Sequence, residues 1–339
     1  MKFLLIIDSI QAQGGTQTFC RNIKDILCSN GHDVEILTII DEVESGLQLS
    51  TINLGLRNSF LILFWLHKIR KISKRFDKII VLSGHTFQYI HFALDNYNTI
   101  YRESNDPYFR NKNLSLFKGI FVKALYEIFL MKNHKLIIQN VTAHKKILQK
   151  HKKLSNLYIL PNPCFAPYCG SVKKFSKRRY VLISLSRDTW IKGNDRHEII
   201  YKEINQKTVV LGEINTNKKI KKSNIDYVGR VEEVRSYLED AKVLILLSRV
   251  EGFPNVVQEA IQAGCYVVVS HELSWVKESF DKFGEIIKVL PCDRIENISL
   301  KLINIIKEFD EAVPASIRKS IKESFSSVNY IGKISEMNV

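Results

Sequence analysis

The sequence predicts an α/β protein built from two doubly wound, Rossmann-like domains. Three observations carry that expectation. Short apolar runs of buried-strand length alternate with segments of helical period, the alternation breaks off once in a polar basic stretch, and it then begins again. With 339 residues and 45% hydrophobic content, the chain can bury two cores of ordinary domain size.

The first run, KFLLIID, has the length of a buried strand and leads into the glycine-bearing loop SIQAQGGTQ. TFCRNIKDILCSNG then places Phe19, Ile23, Ile26 and Leu27 on one helical face and stops at Gly31, a suitable C-terminal cap. HDVEILTII reads as the second strand, which completes a βαβ unit. The pattern repeats through the helix FLILFWLHKIRKISKRF, the strands DKIIVLS and NTIYRES, and the long helix SLFKGIFVKALYEIFLMK. It continues through HKLIIQN, VTAHKKILQKH and NLYILPN, so residues 1–165 form the expected first domain. Residues 166–179, APYCGSVKKFSKRR, turn polar and basic and are expected to link the domains. The second domain, 180–313, has the strands YVLISLS, KTVVLG, IDYVG, KVLILLS, YVVVS and EIIKV. Residues 314–339 form a charged amphipathic tail that is expected to return to the first domain. Two such domains facing each other would set their strand C-termini and loops across one cleft.

Several classes are disfavoured. MKFLLIID meets an acidic residue too soon for a signal peptide, and FLILFWL is far shorter than the roughly 20 residues of a spanning helix. The six cysteines include no CxxC pair, and the nine histidines form no HExxH. A reduced, cytoplasmic protein is expected. The net charge of +15 is concentrated, since residues 68–153 hold 18 Lys and Arg against 5 Asp and Glu. Such a field attracts polyanions, whether nucleic acid, anionic lipid or a phosphorylated substrate. A solvated Lys-rich surface is the plainer account. No RRM, KH or zinc-finger pattern accompanies the charge, and a nucleic-acid partner is not expected.

The chemistry is concentrated in loops. In LSRDTWIKGND, Arg187 follows directly on a strand and Lys192 comes five residues later. A guanidinium forks onto two phosphate oxygens and an ammonium adds a point charge, so the pair suits a diphosphate without a metal. Two solvated loop cations are the alternative. Gly14 and Gly15 stand where a doubly wound fold binds phosphate, ahead of a helix N-terminus, although they do not form GxGxxG. EGFPNVVQEAIQAGC opens where KVLILLS ends and carries Glu251 and Glu259 with seven residues between them. Pro254 fits the first turn of a helix, after which Asn255, Val256 and Val257 would present N–H groups. Carboxylates accept from paired sugar hydroxyls. Two of them flanking an anion-binding helix end suit a nucleotide sugar.

SRVEGFPNVVQEAIQAGCYVVVS resembles the donor-site signature of the retaining glycosyltransferases of family 4, which have the two-domain GT-B fold. SLSRDTWIKG is similar to that family's arginine-then-lysine loop, SIQAQGGTQTF to its first glycine loop, and LYILPNP to the end of its N-terminal domain. IDYVGRVEEVRSYLEDAKVLILLS follows its base-binding turn, and YRESNDPYFR resembles a segment of members that build bacterial surface polysaccharides. The resemblance covers nearly the whole chain and is strongest over residues 180–270.

The resemblance implies that Glu259 binds the ribose and Glu251 the transferred sugar, while backbone around Phe253, Asn255 and Val256 helps hold sugar and diphosphate. Arg187 and Lys192 would clamp the diphosphate and stabilise the departing charge. Gly14 and Gly15 would approach the donor from the first domain, and Gly229 and Val231 would contact the base. The sequence contains no DxD, so no metal cofactor is expected. The diphosphate itself can take the acceptor's proton, and no separate base is nominated. Ser186 in place of the usual glycine, and Asp188-Thr189-Trp190 inside the cationic loop, depart from the family pattern. His85, Arg102 and Glu103 follow first-domain strands and are acceptor-side candidates; a loop histidine and a structural ion pair are the alternatives. The implied partners are a nucleotide-sugar donor and a saccharide or polyprenyl-diphosphate-linked saccharide acceptor. The basic helices FLILFWLHKIRKISKRF and NLSLFKGIFVKALYEIFLMK would either pack on the sheet or touch an anionic inner membrane. A GT-B epimerase or hydrolase, and a basic polyanion-binding protein, are the rival readings.

Overall fold

The computed structural model describes residues 1–11, 14–39, 51–53, 65–82, 88–95, 97–104, 116–185, 189–213, 219–292 and 297–337. The chain divides into two compact units, Met1–Asn162 with Ser327–Val339, and Pro163–Ser326.

The first unit runs β1 (Lys2–Ile7), α1 (Gly15–Ser29), β2 (Asp33–Thr38), β3 (Thr51–Asn53), α2 (Leu66–Ser73), β4 (Lys78–Val81) and β5 (Thr99–Glu103). It continues with α3 (Leu116–Met131), β6 (Lys135–Ile138), α4 (Val141–Lys150) and β7 (Leu157–Ile159). The strands form one parallel sheet in the order β3-β2-β1-β4-β5-β6-β7. Strand order reverses between β1 and β4, so the loops after these two strands flank the switch point where doubly wound sheets bind ligands. α1 buries Phe19, Cys20, Ile23 and Leu27, and its chain exit at Gly31 takes a positive φ of 78°. Ile26, expected on the buried face, is half-exposed. α4 starts on Asn140, whose side chain accepts from the Ala143 N–H at 2.7 Å. The edge strand β3 was not expected, because three residues give no period to read.

The second unit contains β8 (Tyr180–Leu185), α5 (Asn194–Glu203), β9 (Thr208–Leu211), β10 (Ile225–Gly229), α6 (Arg235–Glu239) and β11 (Ala241–Leu246). Then follow α7 (Asn255–Gln262), β12 (Tyr266–Ser270), α8 (Ser274–Phe280), β13 (Ile287–Leu290), α9 (Ile298–Lys307) and α10 (Ala315–Ser324). Its parallel sheet has the order β10-β9-β8-β11-β12-β13. Alternate residues feed two cores. Ile183, Val209, Leu244, Val267 and Ile287 pack on one face, and Leu182, Val210, Val243, Val268 and Leu290 on the other. Burial on both faces is why these strands read as continuous apolar runs.

The stretch 166–179 is irregular apart from a short 3-10 turn at Phe175–Lys177, yet it is anchored. The buried Arg178 guanidinium donates to the carbonyls of Ala241 and, at 2.8 Å, Ala263. Arg318 of α10, equally buried, donates to Gly170 at 3.1 Å and to the Cys169 carbonyl. All six cysteines are free thiols.

The last helix, α11 (Ser327–Glu336), belongs to the first unit. Tyr330 meets Phe19 edge-on at 5.7 Å, and the Lys78 ammonium donates to the Ser335 carbonyl at 3.4 Å.

A histidine is buried against the first core. His134 is 5% exposed and stacks on Phe129 at 4.9 Å, with the His91 ring 5.3 Å away. Burial, with His91 and Lys132 adding to it, pushes its pKa down to about 3. An unfolded histidine takes a proton below about pH 6.5, whereas the folded one does not until about pH 3. Stability is therefore lost as pH falls through that window, by up to about 1.4 kcal/mol per pH unit. His134→Phe should flatten the acid limb of a stability–pH profile, measured by denaturant midpoints between those two values.

Candidate functional site

The site elements of the second unit meet at its switch point. β8 pairs with β11 in the register Leu182↔Val243, Leu244↔Ile183 and Ile245↔Ser184. The loops leaving the C-terminal ends of these neighbours are the cationic loop and the EGFP loop. After β8, the backbone from Trp190 to Lys192 makes one 3-10 turn and ends at Gly193, with φ 70°. A Cβ at Gly193 would collide with the Leu247 carbonyl, so this position requires glycine for both φ and space. α5 begins immediately afterwards.

Lys192 and Glu251 are 59 residues apart in sequence, yet Lys192 Nζ donates to Glu251 Oε1 at 2.6 Å. Both groups stay partly open to solvent, 31% for Lys192 and 13% for Glu251. Arg187 lies outside the described residues, as do its neighbours Ser186 and Asp188.

Arg249, a residue the sequence reading passed over, fixes the cationic turn. Its guanidinium donates to both Asp195 oxygens, at 2.8 and 2.6 Å, and to the Trp190 carbonyl at 2.6 Å. It also lies 4.3 Å from the Trp190 ring centroid, and its backbone N–H donates to the Ile191 carbonyl at 2.8 Å. Those hydrogen bonds hold the Asp195 carboxyl below the usual range, and Asp195 in turn raises Arg249. A parallel clamp joins Arg196 of α5 to Glu272 by two hydrogen bonds, one of 3.0 Å, with a third from Arg196 to the Leu247 carbonyl at 3.2 Å. Burial opposes ionisation of Glu272, but the Arg196 hydrogen bonds and charge, a backbone hydrogen bond and His271 together outweigh it and lower the carboxyl's pKa. The signal for the Arg249 clamp was present as an arginine two residues before Glu251, but its acidic partner lies 54 positions away.

α7 starts after Pro254, whose backbone is extended, and no side chain caps it. The Val257 N–H, expected to be available, instead donates to the Pro254 carbonyl at 3.1 Å. That is a tight first turn, so any anion at this end must use N–H groups ahead of Val257. Asn255 and Val256 are half-exposed there. The Phe253 ring is buried against Trp275 at 6.1 Å, Phe280 at 6.2 Å and Phe325 at 5.9 Å. Glu259 sits one turn inside the helix. Burial pushes its carboxyl above the usual range, and among the described residues no hydrogen-bond or ion-pair partner meets it. Gly229 ends β10 with φ 84°, its carbonyl accepts from the Gly212 N–H at 2.7 Å, and a Cβ there would meet no atom within 4 Å. Val231 follows, half-exposed and packed on the second core.

In the first unit, Gly14 is the N-cap of α1 and Gly15 its first residue, with no atom within 4 Å of a Cβ built on Gly15. Gln17 and Arg21 tie the preceding loop back by donating to the carbonyls of Ser9 at 3.0 Å and Ile10 at 2.6 Å. His85 lies outside the described residues. Arg102 and Glu103 are each 2% exposed. The Arg102 guanidinium donates to Asn162 at 2.6 Å and Ser104 at 3.2 Å, lies 3.7 Å from the Phe19 centroid and contacts Tyr330 of α11. In that position it ties α1 and α11 to the sheet. Among the described residues no three His, Cys, Asp or Glu side chains gather as a metal site would require.

The model of the family Glycosyl transferases group 1 matches residues 196–305. An uncharacterized glycosyltransferase of Haemophilus influenzae is 24% identical over 300 residues, covering 82% of both chains. The structure of Anabaena Alr3699/HepE in complex with UDP and glucose superposes with TM-score 0.72 at 13% identity, over 99% of this chain and 98% of that one. WaaG, a glycosyltransferase involved in lipopolysaccharide biosynthesis, superposes with TM-score 0.70 at 13% identity over the same shares. Fold and matches together define the class: the chain is a glycosyltransferase of the GT-B type.

The Arg249 clamp makes a prediction. Arg249→Ala should release the turn bearing Lys192 and weaken the nucleoside-diphosphate binding proposed below by about tenfold, the equivalent of roughly 1.4 kcal/mol. Calorimetric titration of wild type and variant checks this. The melt should remain cooperative, because the cores are untouched.

Proposed function

We propose that this glycosyltransferase is retaining. It takes a sugar from a nucleoside-diphosphate sugar, UDP- or GDP-linked, and gives it to a saccharide or polyprenyl-diphosphate-linked saccharide. The product is a bacterial surface polysaccharide such as capsule, O-antigen or exopolysaccharide. The observation that carries this reading is the pairing of Lys192 with Glu251 at 2.6 Å, one turn of chain from the uncapped end of α7. It sets a cation, a carboxylate and helix N–H groups at the end of one parallel sheet, as a sugar diphosphate needs. The likeness to a structure holding UDP and glucose supports UDP as the nucleotide, and the likeness to a lipopolysaccharide enzyme supports the pathway class.

In this reading Glu259, half-buried and without a hydrogen-bond or ion-pair partner among the described residues, accepts from the ribose hydroxyls. A diol there replaces the water it loses. Lys192 turns from Glu251 to the diphosphate, and Glu251 then receives hydroxyls of the transferred sugar. Arg187 adds the second cation. The acceptor oxygen bonds to the anomeric carbon as that carbon's bond to the diphosphate oxygen breaks, and the acceptor proton passes to the departing diphosphate. Positive charge at Lys192 and Arg187 stabilises the oxyanion as it forms. Gly229 and Val231 offer main chain to the base.

Thermal stability with a panel of nucleoside diphosphates and their sugars tests the reading. One nucleotide should stabilise the protein, by about 2.7 kcal/mol when present at 100 times its Kd. Glu259→Ala should abolish most of that gain while melting near the wild-type temperature without ligand. A folded protein indifferent to every nucleotide would overturn the proposal.

A further inference from the structure

Trp190 stands on the cationic turn, outside both cores of the second unit, and its indole is 60% exposed. Of the other two tryptophans, Trp275 is buried and Trp65 half-buried. Single exposed apolar residues are ordinary, so exposure alone carries no argument. What sets Trp190 apart is how firmly it is held. Its carbonyl accepts from the Gly193 N–H at 3.1 Å and from Arg249 Nη1 at 2.6 Å. The same guanidinium lies 4.3 Å from the indole centroid and donates to both oxygens of Asp195. A half-buried arginine with its donors occupied thus backs an aromatic ring that still meets solvent.

The ring also stands beside the groups that the donor reading gives to the sugar. Two chain segments run next to each other here. Trp190 meets Arg249, the Ile191 carbonyl accepts from the Arg249 N–H at 2.8 Å, and Lys192 donates to Glu251 at 2.6 Å. The tryptophan–arginine and lysine–glutamate contacts are two residues apart on each segment, a span of at most about 7 Å. One pyranose ring bridges such a distance. A pyranose has an apolar side of C–H groups, and the electron-rich face of an indole attracts those weakly positive hydrogens. Its hydroxyls at the ring edge suit a carboxylate such as Glu251. A nucleobase would stack on an indole as well. In the donor reading, however, the base lies at Gly229, which ends β10, two strands from β8 and about 10 Å across the sheet. We infer that Trp190 is a stacking platform for a pyranose ring, that of the transferred sugar or that of the acceptor, and so helps decide which saccharide is used. The inference rests on the donor reading. A ring already fixed by Arg249 gives up little freedom when a sugar docks on it.

Two sets of titrations on wild type, Trp190→Ala and Trp190→Phe test it and separate the two sources of the ring. The first compares UDP and GDP with UDP-glucose, UDP-N-acetylglucosamine and GDP-mannose. The second adds the methyl pyranosides of glucose, galactose and N-acetylglucosamine to protein saturated with the diphosphate it binds. In one set Trp190→Ala should weaken the saccharide contribution by about tenfold, and Trp190→Phe should restore most of it. Loss in the first set assigns the platform to the transferred sugar, and loss in the second assigns it to the acceptor. Affinity for the bare diphosphate should stay within about twofold, because alanine keeps the carbonyl that Arg249 holds. Emission from Trp190, the exposed indole of the three, should shift to shorter wavelength as the saccharide binds, and Trp190→Phe should remove that shift. Unchanged saccharide affinity in both sets, with diphosphate binding intact, would overturn this inference alone. So would an equal loss of bare diphosphate affinity in Trp190→Ala, which would make the ring a support for the turn. A folded wild type that binds no nucleotide would overturn the donor reading and this inference with it.

Discussion

The pairing of β8 with β11 is the contact on which the candidate site of the second unit depends. In a parallel sheet every strand delivers its outgoing loop to the same end, and strand order reverses between these two neighbours. Their loops must therefore diverge, and a crevice opens between them. The chain uses it by placing Lys192 in one loop and Glu251 in the other, in contact across 59 residues of sequence. A different strand order would leave the same motifs intact and separate them by at least one strand spacing, about 4.8 Å.

Around this pair the protein uses arginine where geometry must hold and lysine where it must yield. Arg249 grips Asp195 through both oxygens, Arg196 does the same to Glu272, and Arg178 and Arg318 satisfy carbonyls of irregular backbone. A planar guanidinium with several donors fixes two or three groups at once, and its burial is tolerated because those donors are occupied. Lys192 is different. Its single bond to Glu251 is short but partly solvated, and a flexible ammonium can change partners at modest cost. The first unit repeats the rigid use of arginine with Arg102, which joins α1, the sheet and α11.

The elements legible from sequence were those with a strong period. The parallel strands appeared as apolar runs because both of their faces are buried, and α1 showed its buried stripe apart from Ile26, which lies at the edge of that stripe. β3 has three residues and no pattern to detect. The linker looked like loose basic chain because composition does not reveal that Arg178 reaches a carbonyl 85 residues away. α3 looked like a sheet-packing helix or a membrane-facing one, and its apolar residues serve the core on one side and lie exposed on the other.

For the site, the sequence by itself determined the chemical inventory: two carboxylates at fixed spacing, an arginine and a lysine in one loop, and a proline-started helix. Those are local properties, set by spacing along the chain. Tertiary structure decided which of them meet and which are taken. It paired Lys192 with Glu251, enlisted Arg249 and Asp195 as the clamp, spent the Val257 N–H inside the first turn of α7, and buried Arg102 and Glu103 in the first unit. The physical reason is range. Hydrogen bonds and ion pairs act over a few ångströms, and only the order of strands in a sheet brings residues distant in sequence within that reach.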